Sequence, residues 1–307
     1  MTASWVRVRA PASIANLGCL FDAAAMAVEA FKDCVIVEEA SGKLEVEGRG
    51  GAPGGRSDIA YEAARLFLEK FYGRACGVRI LVEKGVPIAA GLGSSGATAA
   101  ATVVALNELL GIGVGAGELI EVAGSAEVVA AGSPHYDNVA ASILGGIVLV
   151  DPVDPRSHIA MRPPEWLRVV IFLRRAAVRG KTRLMRRVIP RDVGLDEASR
   201  LALSAAMLAV GIAKGLKRCI KYASHGGPVE EARGRLLQSY WNAKEAALKA
   251  GALAFNIAGA GPSFFALVEE GREEEVVSAV TRVAEDCEPV VTRVSVKGAI
   301  HDVESRR

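Results

Sequence analysis

A glycine- and serine-rich turn at the start of a helical pattern carries the clearest chemistry in the sequence. Its three glycines let the backbone pass close to a ligand with positive φ, and its two serines place hydroxyls where the helix begins. A helix N-terminus presents unpaired N–H groups, so the turn predicts an anion site, here for a nucleotide phosphate. The residues assigned to that site are Pro87, Ile88, Ala89, Ala90, Gly91, Leu92, Gly93, Ser94, Ser95, Gly96 and Ala97.

Other phosphate motifs fit the turn less well. A Walker A loop needs Gly-Lys-Ser or Gly-Lys-Thr, but no lysine follows Gly96, and the Gly-Lys-Thr at 180–182 has Arg175 in place of the first glycine. The glycine spacing does match the G-x-G-x-x-G of dinucleotide-binding proteins, although a second helical pattern follows over 118–131 instead of a strand. That reading and a plain glycine turn for tight packing both stay open on the residues alone.

At two further places the sequence has polar residues that fit either a structural role or a role in ligand binding. Asn16 and Asp22 lie among small and apolar residues, where such side chains either cap backbone turns or bind a ligand. Glu127 interrupts an apolar helical run, so it is either a metal ligand or part of a solvated stripe, because an unpaired buried carboxylate is costly.

The loop after that helix carries His135, Asp137 and Asn138 within four positions. Clustering of chemically able side chains in a loop favours a functional site, although His135 alone also fits a simple helix end.

Composition limits the class of protein. The chain has 307 residues, of which 51% are hydrophobic, enough for two medium domains. A net charge of +2 gives no basic field that would indicate a nucleic acid partner. Five scattered cysteines form no C-x-x-C pair and favour a reducing cytosol. Residues 1–10 lack the long apolar core of a signal peptide, and no run approaches eighteen uninterrupted apolar residues, so we expect a cytoplasmic location and no membrane partner.

Periodicity predicts the elements that position these residues. In the first half we expect a strand that Pro11 ends, then strands over 23–30, 34–38, 43–47 and 77–83, and helices over 58–72, 96–110 and 118–131. Four prolines over 151–164 predict a linker between two domains, 1–162 and 163–307. The second half predicts strands over 167–173, 253–258, 264–268 and 289–296, and helices over 196–222, 230–250 and 273–285. That is the β-α-β-β-α-β order of a ferredoxin-like domain, so the fold class is α+β.

Three separated segments resemble the motifs of the GHMP kinase superfamily, in the family's order and over nearly the whole chain. They are 11–22 (PASIANLGCLFD), the phosphate loop over 87–98, and 256–263 (NIAGAGPS). The resemblance implies a mixed α/β nucleotide-binding domain followed by the ferredoxin-like domain, with ATP and Mg²⁺. It implies Ser95 and Glu127 as metal ligands, and a third glycine motif, Gly259, Gly261 and Ser263, that closes over the nucleotide.

Within the superfamily, 11–22 and 134–146 most resemble the homoserine kinases. That resemblance implies phosphorylation of the L-homoserine hydroxyl in threonine biosynthesis, by a homodimer. The substrate residues it implies are Asn16, Asp22, His135, Arg186 and Arg233. The catalytic residues it implies are Asn138, Asp137 and Thr182.

The chain departs from the family pattern at two places in the first motif. Ser13-Ile14 replaces a Thr-Ser pair, and Cys19-Leu20 replaces Pro-Gly. Both differences bear on the detailed shape of the substrate pocket. Mevalonate kinases carry an aspartate near Asn138, so we expect Asn138 to orient the acceptor hydroxyl without a strong general base. A shikimate or mevalonate kinase, and a ligand sensor without turnover, remain the alternatives.

Overall fold

The fold consists of two β-sheets, each covered by helices. The computed structural model describes residues 4–73, 77–131, 134–174 and 181–306. The strands are β1 (Trp5–Ala15), β2 (Ala24–Glu39), β3 (Glu45–Arg49), β4 (Val78–Glu83), β5 (Ile147–Val150), β6 (His158–Met161), β7 (Leu167–Leu173), β8 (Ala254–Ile257), β9 (Phe264–Glu269), β10 (Glu288–Thr292) and β11 (Val303–Arg306). The helices are α1 (Ile59–Phe71), α2 (Ser94–Leu110), α3 (Ala116–Ala131), α4 (Tyr136–Leu144), α5 (Lys181–Arg187), α6 (Leu195–Lys214), α7 (Lys217–Ile220), α8 (Gly227–Gly234), α9 (Tyr240–Lys249) and α10 (Glu273–Thr281).

The first sheet is mixed and holds the nucleotide loop. In the described part of the chain its order is β11-β1-β2-β4-β3, and β5 and β6 extend it beside β2. Helix α1 begins where the sequence predicts, because the Asp58 side chain accepts a hydrogen bond from the N–H of Ala60 (3.0 Å). Helix α2 is buried from Gly96 to Leu106, where its small side chains let it pack between the sheet and α1, α3 and α4.

The predicted end of the first strand at Pro11 is wrong. Strand β1 continues to Ala15, and its register against β2 shifts between Pro11 and Ala12. A proline is tolerated at such a bulge because the ladder is already interrupted there. The same irregularity joins the two predicted strands over 23–30 and 34–38 into the single strand β2.

The second sheet has the ferredoxin-like order that the sequence predicts. Among the described residues it runs β10-β7-β9-β8, all antiparallel, so the strands joined by each helical crossover are separated by one other strand. The predicted long helix over 230–250 is two helices, α8 and α9. They pack closely where the chain turns, since a Cβ on Gly234 would lie 2.8 Å from the Tyr240 ring.

Two segments outside the predicted strands pair with the first sheet. The predicted linker over 151–164 contains β6, which pairs with β5, and the predicted last strand is followed by β11, which pairs with β1. Both are short strands with mostly exposed or half-buried residues, which periodicity does not distinguish from loops. The boundary between 1–162 and 163–307 stays a prediction. Among the helices that the structure describes, none combines the length and the hydropathy of a membrane span.

Candidate active site

The three sequence motifs meet around the glycine turn between β4 and α2. Gly91 and Gly93 both have positive φ. A Cβ on Gly91 would lie 2.3 Å from the carbonyl oxygen of Ala258, and a Cβ on Gly93 would lie 2.2 Å from Ser13 Oγ. Ser13 also donates its N–H to the carbonyl of Leu92 (3.1 Å). Residues far apart in sequence are therefore packed against the loop so closely that only glycine fits at both positions.

The rest of the predicted nucleotide segment divides into an outer and an inner part. Ile88 and Ala89 are exposed at the rim, and Pro87, Gly91, Gly93, Ser94 and Ser95 are half-buried. Ala90, Leu92, Gly96 and Ala97 are buried beneath the turn. Helix α2, which has 17 residues, begins at Ser94, so its N-terminus points at the site as predicted.

A buried ion pair lies under the loop and holds the two ends of the loop together. The sequence did not reveal this pair. Asp33 on β2 is fully buried and accepts hydrogen bonds from the N–H groups of Gly85 and Val86 (3.0 and 2.9 Å). Its other oxygen binds the Lys84 ammonium. Lys84 Nζ also donates to the carbonyl of Ser94 (2.7 Å), the first residue of α2. The pair thus fixes the start of the turn to the start of the helix.

We predict that Asp33→Asn lowers the free energy of unfolding by about 3–5 kcal/mol, because it leaves the Lys84 ammonium without its counter-charge. The double variant Asp33→Asn with Lys84→Met should recover much of that loss but keep a raised KM for the nucleotide. Urea unfolding and steady-state kinetics measure the two effects. A double variant less stable than the single one would contradict the role of the pair.

Glu127 lies inside the site, so the solvated-stripe interpretation is wrong. Its side chain is 4% exposed and accepts a hydrogen bond from Ser95 Oγ at Oε2 (3.1 Å). His135 Nδ1 lies 3.6 Å from the same oxygen. Oε1 is buried and has no hydrogen-bond partner in the part of the chain that the structure describes. A buried carboxylate oxygen without a partner is the kind of ligand that a cation satisfies.

Carboxylates accumulate around His135 and raise its pKa. Burial acts to lower that pKa, but the interaction with Glu127 and the charges of Asp137 and Asp22 outweigh burial. Within the described ranges no three His, Cys, Asp or Glu side chains converge as a preformed metal cage. Mg²⁺ does not require one, since it is usually held by one or two protein ligands together with substrate phosphates.

Asp137 and Asn138 lie in the first turn of α4, on the other side of the loop. Asn138 Oδ1 accepts a hydrogen bond from Ser13 Oγ (2.9 Å), so the first motif orients this side chain. Asp137 is 1% exposed, and burial, followed by the charge of Asp22, raises its pKa to about 6. Asp137 therefore keeps a proton in the folded protein over a pH range in which an exposed aspartate has lost it.

The raised pKa predicts how stability depends on pH. The folded state binds this proton more tightly than the unfolded chain, so Asp137 makes the protein less stable as pH rises from near 3.8 to about 6. Asp137→Asn, which mimics the neutral form, should stabilise the protein at pH 8 by up to about 3 kcal/mol and have no such effect at pH 4. Urea unfolding at the two pH values tests this, and equal effects at both would contradict it.

Opposite charges face each other at the far side of the loop. The Arg186 guanidinium on α5 is paired with the Asp22 carboxylate, and its Nη1 lies 3.4 Å from His135 Nε2. Arg233 on α8 is 4% exposed, and burial lowers its pKa to about 10, so it stays cationic at neutral pH. Both guanidinium groups lie over the ring of Phe21, at 5.5 and 5.4 Å. One carboxylate and two cations thus converge within reach of the loop.

Asn16 and the third glycine motif hold this arrangement together. Asn16 Nδ2 donates to the carbonyl of Gly259 (3.1 Å), and its Oδ1 accepts from the N–H of Asp22 (3.1 Å). Arg233 Nη1 donates to the same Gly259 carbonyl (3.0 Å). Gly261 keeps a positive φ beside Gly91, whereas Ser263 is buried and accepts from the N–H of Arg174 (3.0 Å). Asn16 and Ser263 therefore use their polar atoms within the protein.

The structure thus brings nearly all the predicted site residues together. Thr182 belongs to α5, but its side chain lies outside the described residues. Ser13 and Phe21 lie in the first motif but were given no role of their own, and Asp33 and Lys84 were not expected at the site. The sequence offers little signal for Asp33, which lies between the strands predicted over 23–30 and 34–38, whereas Lys84 precedes the glycine turn by a few residues.

Two family models match the chain in order: "GHMP kinases N terminal domain" over residues 38–146 and "GHMP kinases C terminal" over residues 208–286. The chain belongs to the GHMP kinase family. It is 40% identical over 277 residues to a homoserine kinase of Pyrobaculum islandicum, covering 90% of this chain and 92% of that one. A homoserine kinase of Aeropyrum pernix is 38% identical and covers 91% of both chains.

Solved structures agree with this assignment. This GHMP kinase matches the crystal structure of homoserine kinase from Cytophaga hutchinsonii with a TM-score of 0.88 and 29% identity, over 98% of this chain and 97% of that one. The predicted α+β two-domain fold is confirmed, and so is the expected use of ATP, which the family shares. Membership also removes the dinucleotide-binding alternative and the plain glycine turn.

Proposed function

We propose that this GHMP kinase phosphorylates the side-chain hydroxyl of L-homoserine with ATP to give O-phospho-L-homoserine in threonine biosynthesis. The observation that carries the proposal is the carboxylate of Asp22 opposite Arg186 and Arg233, beside the phosphate loop. Homoserine is a zwitterion with a hydroxyl tail. Its ammonium group requires an anion and its carboxylate requires a cation, which are the two charges that converge here.

The acceptor would bind by replacing the internal ion pair. In the free protein Asp22 and Arg186 satisfy each other. A zwitterion placed between them offers an ammonium to Asp22 and a carboxylate to Arg186, so neither charge is left unpaired. Arg233 adds a second, desolvated cation for the acceptor's carboxylate. His135 lies beside Arg186 and would add a hydrogen bond to the acceptor. Asn16 supports this site through the Asp22 N–H.

Ser95 and Glu127 fit a magnesium ion, because a hydroxyl and a half-satisfied carboxylate face the helix N-terminus that would hold the phosphates. When bound, Mg²⁺ would neutralise charge on the β- and γ-phosphate oxygens. The N–H groups at the start of α2 and the closely packed Gly259–Gly261 turn would bind and orient the same phosphates.

Asn138 would orient the acceptor hydroxyl; the hydrogen bond from Ser13, which fixes its side chain at the edge of the glycine turn, supports this role. Phosphoryl transfer through a loose transition state depends on positioning more than on proton removal, so Asp137 and Thr182 need not act as strong bases. We predict that Asn138→Ala lowers kcat about 10–100-fold with little change in the KM for ATP. Steady-state kinetics test this, and an unchanged kcat would remove the role.

The two alternative acceptors, shikimate and mevalonate, do not match the charges of the site. Shikimate and mevalonate carry a carboxylate but no ammonium group, so Asp22 would face the substrate without a partner. A sensor without turnover would not need Ser95, Glu127 and Asn138 in mutual reach of the phosphate loop. We further infer a cytoplasmic homodimer, as the family resemblance implies.

A coupled ADP-release assay with ATP and Mg²⁺ tests the proposed function by comparing L-homoserine, shikimate and mevalonate. Release with homoserine alone is the expected result. Release with another acceptor would keep the nucleotide site and overturn the amino-acid site. No release with any acceptor would favour the sensor.

A further inference from the structure

The aromatic ring of Phe21 is half-buried beside the charged groups of the proposed acceptor site and belongs to neither apolar core. Within the described ranges it is not one of the half-buried apolar side chains that pack against the two core clusters, and it makes no ring–ring contact. Its ring contacts are with cations. The guanidinium of Arg186 lies 5.5 Å from the ring centroid and that of Arg233 lies 5.4 Å from it. The position of this ring therefore serves the two arginines more than the packing of a core.

Two guanidinium groups that lie against one ring repel each other. Burial is the main reason why the pKa of Arg233 falls to about 10, and the positive charge of Arg186 contributes to the fall. Asp22 supplies a single negative charge nearby, and it is paired with Arg186. The face of an aromatic ring carries partial negative charge, so it attracts a guanidinium that lies over it. The Phe21 ring therefore offsets part of the repulsion between the two arginines.

The first motif holds this ring on a fixed turn. The Leu20 N–H donates to the carbonyl of Asn16 (3.0 Å), and the Asp22 N–H donates to Asn16 Oδ1 (3.1 Å). The Ala23 N–H donates to the carbonyl of Leu20 (3.1 Å). Because the backbone is anchored on both sides of Phe21, the ring provides a fixed surface for side chains that come from two separate helices.

Both arginines keep hydrogen-bond donors for a ligand while they lie against the ring. Arg233 uses Nε for the carbonyl of Met185 (3.2 Å) and Nη1 for the carbonyl of Gly259 (3.0 Å), and its Nη2 has no hydrogen-bond partner among the described residues. Arg186 is paired with Asp22, which an acceptor ammonium would take over. Two guanidinium groups held in this way present donors to a single carboxylate.

We propose that Phe21 is a positioning residue that sets the affinity for the acceptor by holding Arg186 and Arg233 against the face of its ring. The inference rests on the proposed function, because the carboxylate that the two arginines would bind belongs to the amino-acid acceptor. The role requires no contact between the ring and the transferred phosphate, so loss of the ring should change the KM for the acceptor more than kcat. An apolar side chain without a ring would fill the space but would not attract the guanidinium groups.

Fluorinated phenylalanines at position 21 test this role directly, because each fluorine withdraws electron density from the ring face with little change in size. Steady-state kinetics compare phenylalanine with its mono-, di- and trifluorinated forms. The KM for L-homoserine should rise stepwise to about tenfold for the trifluorinated ring, while the KM for ATP stays constant. The same series at Phe31, which packs against the first core, is the matched control and should leave both KM values unchanged. A KM for homoserine that does not depend on the number of fluorines would overturn the proposal.

Two ordinary substitutions separate the aromatic face from simple packing. Phe21→Leu keeps an apolar side chain but has no ring, and it should raise the KM for homoserine about tenfold with little change in kcat. Phe21→Tyr keeps the ring face and should stay within about threefold of the wild type. If Leu supported homoserine binding as well as Tyr, the aromatic face would have no role.

A double-mutant cycle measures the contact between ring and guanidinium without any acceptor. Urea unfolding compares the wild type, Phe21→Leu, Arg186→Met and the double variant. The double variant should lose less stability than the two single variants together, because either substitution alone already removes the contact. Additive changes would overturn the proposal. Coupled changes in a protein that does not use homoserine would leave the contact in place and overturn only the proposed function.

Discussion

Glu127→Gln is expected to abolish most of the magnesium-dependent turnover, with kcat falling about 10³-fold or more and the apparent affinity for Mg²⁺ falling in parallel. The Glu127 carboxylate is buried, and one of its oxygens lacks a partner in the described part of the chain. Glutamine keeps the size of the side chain and can still bind Ser95 Oγ, but it removes the charge that a divalent cation requires.

The KM for the acceptor should change little in this variant, because in the proposed site Asp22 and the two arginines would bind the acceptor's charges. Turnover measured across a Mg²⁺ titration separates the two effects. Glu121→Gln is the matched control, since Glu121 is on the same helix but pairs with Lys70 at the surface. Equal losses of magnesium dependence and acceptor binding in Glu127→Gln would count against its role as a ligand.

Arg186→Met should raise the KM for the acceptor about 100-fold and leave the KM for ATP nearly unchanged. The methionine keeps part of the apolar stem but removes a guanidinium that would form charge-assisted hydrogen bonds with the acceptor carboxylate. Arg186 is a cleaner choice than Arg233, whose guanidinium also holds the carbonyls of Met185 and Gly259 and would disturb the fold if removed.

The adjacent Arg187 provides the control for that substitution. It follows Arg186 on α5 and is exposed. Arg187→Met should therefore have the wild-type KM for both substrates. If the two variants had the same kinetics, Arg186 would not bind the acceptor.

The sequence was sufficient to predict the residues around the phosphate loop, because each motif is local. Each signal lies within a few positions of the chain: the glycines at 91 and 93, the serines at 94 and 95, and the 135–138 cluster. What the sequence did not reveal is the pairing of distant polar groups. Asp33 and Lys84 are 51 residues apart and meet only because β2 and β4 are neighbours in the sheet.

The fold was predicted at the level of element order and less well at its edges. Alternating strands and helices led directly to the ferredoxin-like second sheet. Strand β11 was missed because its residues, VESR, are half-buried or exposed at a sheet edge and show no apolar pattern. The turn-capping role that the sequence left open for Asn16 accounts for its bond from the Asp22 N–H. Its other bond goes to Gly259, 243 residues away, and depends on tertiary packing that no local pattern encodes.

The measurement that tests the central claim most directly compares three acceptors in the same ADP-release assay. L-homoserine carries both charges, 4-hydroxybutyrate lacks the ammonium group and 3-aminopropan-1-ol lacks the carboxylate. A site built from Asp22 opposite Arg186 and Arg233 should use homoserine with a kcat/KM at least about 10³-fold higher than either analogue. Similar kcat/KM values for homoserine and 4-hydroxybutyrate would show that Asp22 does not bind an ammonium group, and would contradict the proposed amino-acid site.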